Sequence, residues 1–91
     1  MKIRLKTFGA LEQMIREQEF SFPEGLQVEG FIDVLAERYG SQIREHLLPG
    51  GAFNTHYFIF VNGKNIKRLQ DMKTELKDGD SVFVTTLVDG G

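Results

Sequence analysis

Between residues 2 and 8 cations and apolar residues alternate, with Ile3, Leu5 and Thr7 on one face and Lys2, Arg4 and Lys6 on the other. That period of two marks a half-buried strand with one solvated face. Gly9 ends the run, and Leu11, Met14 and Ile15 follow at helical spacing over a short amphipathic stretch that closes near Glu17. Alternation returns at Glu19-Phe20-Ser21-Phe22 and stops at Pro23-Glu24-Gly25, a turn with proline early and glycine late. Two strands joined through one helical turn make an opening hairpin.

Val28, Phe31, Ile32, Leu35 and Tyr39 then recur at i, i+3, i+4, i+7 and i+11, an apolar stripe opposed by Glu29, Asp33, Glu37 and Arg38. This is the one long helix, and Gly40 stops it. Ser41 is placed to cap a shorter helical piece through Leu48, before Pro49-Gly50-Gly51 breaks the chain. The region reads as a variable insertion. From His56 to Val61 nearly every residue is apolar or aromatic, which predicts an interior strand buried on both faces or facing a partner on one. Asn62-Gly63 closes it with a hairpin turn, Asn65-Ile66 is a short return strand, and Leu76-Lys77-Asp78-Gly79-Asp80 turns into a last β-branched strand over residues 81–87. The order predicts an α+β fold with one main helix packed on one face of the sheet. The second face need not be covered by anything in this chain. If Phe58 and Phe60 point there, they form an exposed aromatic surface of the kind that binds partners; burial in a core is the equal alternative.

Composition narrows the function. With 91 residues the chain is a single domain that buries roughly 60 to 65% of its unfolded surface. Its 41% hydrophobic and 26% charged residues are those of an ordinary globular protein, and a net charge of −2 argues against nucleic acid as the main partner. No membrane partner is expected either. The absence of cysteine removes disulfides, thiolate nucleophiles and thiolate metal sites. No signal-peptide core opens the chain, so a cytoplasmic location is expected.

Candidate chemistry is concentrated in Gly90-Gly91, with which the sequence closes. At average glycine usage the pair arises by coincidence in roughly 0.5% of chains, rarely enough to ask for a reason. Backbone without Cβ lies extended in a groove too narrow for side chains, where it presents its carboxylate to another protein's active site. The competing explanation is the tolerance of frayed termini for small residues. Elsewhere the signals are structural: His46 and His56 lack partners at metal-binding spacing, and Asp78 with Asp80 offers too few carboxylates for a calcium cage. No metal site is expected.

Across nearly its whole length the chain resembles the MoaD/ThiS family of ubiquitin-like β-grasp sulfur carriers. The resemblance rests on Phe22-Pro23-Glu24-Gly25, Leu35-Ala36-Glu37-Arg38-Tyr39, Val61-Asn62-Gly63, Leu76-Lys77-Asp78-Gly79-Asp80 and the closing Val88-Asp89-Gly90-Gly91. The length between Gly40 and Thr55 makes it most like the small subunit of molybdopterin synthase. It departs from that subfamily at Val84-Thr85-Thr86-Leu87, where aromatic residues and prolines are usual, which leaves tungsten-cofactor or other thiolation pathways open.

The resemblance implies a mixed β-grasp sheet of about five strands and a flexible tail over residues 88–91. It implies that an E1-like adenylyltransferase of the MoeB/ThiF type spends ATP to activate the Gly91 carboxylate, and that a sulfur donor converts the adenylate to a thiocarboxylate. Gly90 and Gly91 would thread the partner's groove, Leu87 and Val88 would anchor the tail's base, and Phe58 and Phe60 would dock partners, among them the molybdopterin synthase large subunit or another sulfur acceptor. The chain itself binds no cofactor in this scheme and is not a self-sufficient enzyme, having no phosphate-cradling loop. Two rivals share the fold: a modifier joined through Gly91 to lysines, and an interaction domain whose tail does no chemistry.

Overall fold

The opening alternation becomes strand β1 (Lys2–Thr7), followed by helix α1 (Ala10–Met14) and strand β2 (Glu19–Ser21), which returns antiparallel with Ile3 opposite Phe20. In the computed structural model, which describes residues 1–15 and 18–86, helix α2 (Val28–Tyr39) and helix α3 (Gln42–Leu47) precede strand β3 (Tyr57–Val61), strand β4 (Lys64–Asn65) and strand β5 (Ser81–Thr86). Single 3₁₀ turns occupy Pro49–Gly51, Ile66–Arg68 and Asp71–Lys73. The five strands form one sheet in the order β2-β1-β5-β3-β4. Only β1 and β5 run parallel; the other pairs are antiparallel. The sheet is therefore mixed, with the last strand at its centre.

One face of the sheet carries Ile3, Leu5, Ile59, Val61, Val82 and Val84, all buried in a single cluster with the α2 stripe of Val28, Phe31, Ile32 and Leu35. Each such side chain contributes about 1.5–3 kcal/mol of transfer free energy, so this layer dominates the stability of the fold. Phe20, Phe22 and Phe31 close one end through ring contacts at 5.0 to 6.5 Å, and the Arg38 guanidinium lies 5.3 Å from the Phe20 ring. The opening hairpin is thereby fixed to the long helix. Nearby, Lys2 N–H donates to Asp78 Oδ1 and Gly79 N–H to Lys2 C=O, each within 2.8 Å, fastening the turn before β5 to the start of β1.

The structure adjusts three expectations. Ser41 precedes α3 but makes no side-chain cap, because its backbone is already helical (φ −62°, ψ −17°), whereas a capping hydroxyl needs an extended residue to swing back over the first turn. The return strand is Lys64–Asn65 rather than Asn65-Ile66: Asn65 Oδ1 accepts from Lys67 N–H at 3.0 Å and bends the chain into a 3₁₀ turn, placing Ile66 in the core. The helical layer is also broader than one helix, since α3 buries Ile43 and Leu47 and forms an Asp33–Arg44 ion pair with α2.

Candidate functional site

Alternation along β3 sends Tyr57, Ile59 and Val61 into the core and leaves Phe58 and Phe60 half-buried on the opposite face. The same alternation in β5 buries Val82 and Val84 and turns Phe83 outward beside Phe60, its register partner. Lys6 is the register partner of Phe83 on the other side. The outer face thus carries a row Lys6, Phe83, Phe60, with ring centroids 6.1 Å apart and Lys6 Nζ 5.9 Å from the Phe83 centroid. Phe58 extends it, 6.5 Å from Phe60. Phe8, just past the end of β1, is 49% exposed. An open depression of about 730 Å³ is floored by Phe60 and Phe83 and rimmed by Arg4, Lys6 and Gln18.

Of the residues expected to bind partners, Phe58 and Phe60 lie on this face, in the alternative that left the second side of the sheet uncovered. Leu87, Val88, Gly90 and Gly91, with the tail expected over residues 88–91, lie outside the described residues. What is described is the strand that leads to them: β5 ends at Thr86, beside the aromatic face, five residues short of Gly91. Sequence reasoning missed Phe83, Phe8 and Lys6 as members of the patch. The signal was present, since Phe83 stands between two inward valines and Lys6 and Phe8 share the outward parity of Arg4, but it is legible only once β1 and β5 are known to be neighbours.

The remaining candidates are structural. The Tyr57 hydroxyl lies 3.2 Å from His46 Nδ1, and burial raises the Tyr57 pKa above its ordinary 10.0. Asn54 holds that corner together: its side-chain amide donates to His46 C=O, its backbone N–H to Leu47 C=O, and its own C=O accepts from Tyr57 N–H, all within 3.0 Å. Asp80 accepts from Lys77 N–H and from the Asn62 side chain, and so belongs to a turn. Among the described residues no group of three or more His, Asp or Glu side chains is placed to hold a metal, and no helix is long and apolar enough to cross a membrane. The face presents an apolar patch edged by cations.

Comparison with known proteins agrees with this geometry. The family model described as the ThiS family matches residues 5–91. A proposed sulfur carrier protein of Archaeoglobus fulgidus is 32% identical over 68 residues, covering 75% of this chain and 77% of its own. A solved structure from Pyrococcus furiosus, proposed as molybdopterin converting factor subunit 1, superposes with a TM-score of 0.69 at 28% identity, covering 93% of this chain and 95% of that one. Small archaeal modifier protein 1 of Methanosarcina acetivorans has the same fold, with a TM-score of 0.80 at 24% identity over 99% of this chain and 96% of its own. With a β-grasp sheet and a match to that model over nearly its whole length, this chain belongs to the ThiS family of ubiquitin-like sulfur carriers.

Proposed function

We propose that the chain carries sulfur as a thiocarboxylate on Gly91 and delivers it to an acceptor enzyme, with the large subunit of molybdopterin synthase as the acceptor. A carboxylate is a poor electrophile, so the cycle begins with attack of a Gly91 carboxylate oxygen on the α-phosphorus of ATP within an E1-like adenylyltransferase, releasing pyrophosphate. A sulfur nucleophile then adds to the acyl carbon and expels AMP. When that nucleophile is a donor persulfide, a thiol then cleaves the S–S bond of the resulting acyl disulfide, leaving the thiocarboxylate and a disulfide; when it is hydrosulfide the thiocarboxylate forms directly, and loss of the sulfur to the acceptor with attack of water on the acyl carbon restores the carboxylate. This chain supplies the acyl group and the docking surface; the partner supplies the phosphate chemistry.

The supporting observation is the exit of β5. The central strand ends at Thr86 beside the aromatic face, and residues 87–91 have a maximal reach of about 17 Å from it, so a partner seated on Phe58, Phe60 and Phe83 has the carboxyl group within range of an active site on its own surface. The molybdopterin acceptor is supported by the Pyrococcus furiosus neighbour.

The test is the intact mass of the protein from its own cells, without a carboxyl-terminal tag. A species heavier by about 16 Da, the exchange of oxygen for sulfur at Gly91, is expected. Branched Gly-Gly remnants on lysines of other proteins, without that species, would replace this reading by the modifier. Gly91→Ala is expected to leave the unfolding midpoint unchanged and to abolish ATP–pyrophosphate exchange by the activating enzyme, because a Cβ at the last position obstructs the groove that leads to the acyl carbon. Exchange at the wild-type rate would sink the proposal.

A further inference from the structure

Asn62 lies at φ +51° in the turn that joins β3 to β4, and its side chain is engaged at both polar atoms. The amide nitrogen donates to Asp80 Oδ1 at 2.9 Å, the amide oxygen accepts from Ser81 N–H at 2.9 Å, and the backbone N–H donates to Ser81 C=O at 2.8 Å. Asp80 Oδ2 in turn accepts from Lys77 N–H at 2.8 Å. These bonds clasp the β3–β4 turn to the start of β5. Gly63 follows, and a Cβ placed on it would meet nothing within 4 Å, so the space beside its nitrogen is open. The other two asparagines, Asn54 and Asn65, precede the β-branched Thr55 and Ile66, whose side chains crowd the next backbone nitrogen. Asn62 alone is followed by a residue that leaves its nitrogen free to reach the side-chain carbonyl carbon. Gly63 and Ser81 also line the depression beside Phe60 and Phe83, and Ser81 is the register partner of Arg4.

We propose that Asn62-Gly63 is a deamidation site held in check by Asp80, and that its conversion replaces the clasp by a pair of carboxylates at the edge of the aromatic face. In the step, the Gly63 nitrogen attacks Asn62 Cγ and closes a cyclic succinimide; the Cγ–Nδ2 bond breaks, and Nδ2 leaves as ammonia with the proton that the Gly63 nitrogen gave up through solvent. Water then opens the ring at either carbonyl, leaving Asp or an isoaspartyl link at position 62. While Nδ2 donates to Asp80 and Oδ1 accepts from Ser81, the carboxamide cannot turn its carbon toward the Gly63 nitrogen without breaking both bonds. In the product an oxygen stands where Nδ2 donated, so a hydrogen bond of 2.9 Å becomes a contact between two anions. Asp tolerates the left-handed backbone of this turn, so the charge and not the angle is what conversion disturbs. The turn is pushed away from β5, and negative charge is added beside Ser81 and Arg4, where cations edge the face. Its bearing on partner docking rests on the carrier reading above.

The experiment incubates the full chain at neutral pH, folded and in urea, and follows by peptide mapping a mass gain of about 1 Da at Asn62. The folded wild type is expected to convert about tenfold or more slowly than the unfolded chain. Asp80→Asn keeps one oxygen for Lys77 N–H and gives up the acceptor for Asn62, so under the same folded conditions it is expected to convert several-fold faster than wild type. Asn62→Asp makes the product directly and is expected to unfold at lower urea, whereas Asn62→Asp combined with Asp80→Asn again sets a donor against an acceptor and is expected to recover most of the lost midpoint. Asn62→Asp is also expected to bind the activating enzyme about twofold or more weakly at low salt. Equal conversion in folded and unfolded wild type, no acceleration in Asp80→Asn, a midpoint in Asn62→Asp equal to that of wild type or not restored by Asp80→Asn, or undiminished binding by Asn62→Asp overturns the inference. If Asp80→Asn does not fold, the wild-type rates and the Asn62→Asp midpoint still decide it. If the activating enzyme binds neither wild type nor variant, the carrier reading falls instead, and the rates and midpoints still decide the site.

Discussion

Tyr57 shows how a single residue serves core and corner together. Its ring is 5% exposed within the β3 layer, while its hydroxyl reaches His46 on α3. Because burial raises the folded-state pKa above 10.0, the unfolded chain releases the phenolic proton first as pH rises. The stability held by the neutral phenol is fully present below about pH 10 and is lost as pH climbs through the folded-state value. Tyr57→Phe removes both the hydrogen bond and the titration. The variant is expected to be about 1 kcal/mol less stable at pH 7, and the gap to narrow as pH rises above about 10. Tyr39 is common to both proteins and cancels. Urea unfolding followed from pH 7 into the alkaline range checks the claim, and a gap that fails to narrow above about pH 10 would refute it.

At the scale of elements, period-two and helical patterns identified β1, β2, α2, β3 and β5, because each of these buries one defined face and the burial writes itself into the spacing. What the spacing did not carry lies where side chains compete with the backbone or where distant segments meet. Asn65 diverts its own strand through an Asx-type hydrogen bond, and Asn54 joins the end of α3 to the start of β3, neither of which leaves a hydrophobic period. The site was legible to the same degree: Phe58 and Phe60 could be read from one strand, whereas Phe83 and Lys6 join them only through the pairing of β5 with both β3 and β1. The region read as an insertion is likewise more firmly attached than its composition suggests. Ile43 and Leu47 are fully buried, while the Asp33–Arg44 ion pair beside them is about half exposed. Apolar burial should then outweigh the ion pair by several-fold. Leu47→Ala is expected to cost about 2–5 kcal/mol and Arg44→Ala no more than about 1 kcal/mol, compared by denaturant midpoints at equal slope. A larger loss for Arg44→Ala than for Leu47→Ala would mean that α3 is held electrostatically.

At the scale of the molecule, the cations of β1 and the acids of α2 lie on opposite sides of the sheet, with the exposed rings on the side of the cations. Lys2, Arg4 and Lys6 line the outer face of β1 beside Phe60 and Phe83, in a chain whose net charge is −2, while Glu29, Asp33 and Glu37 lie on α2 across the sheet. Lys2 approaches Glu19 only at 3.9 Å with both side chains largely exposed, so the pair leaves most of the cationic character of the face in place. If this face docks the activating partner, its two components should be separable by experiment. Truncating Phe60 and Phe83 to Ala removes the apolar anchor, and is expected to weaken association about tenfold or more, chiefly by faster dissociation and equally at low and high salt. Exchanging Arg4 and Lys6 for Gln removes long-range attraction, and is expected to slow association at low salt and to flatten its dependence on ionic strength, with dissociation little changed. The rings are only half-buried in the free protein, so unfolding midpoints measured in parallel separate lost docking from lost fold. Surface-plasmon kinetics at about 50 and about 500 mM salt resolve both rates; if the ring variants bind as the wild type does while remaining folded, the open face of the sheet is not where the partner sits, and the β5 exit alone would have to guide the tail.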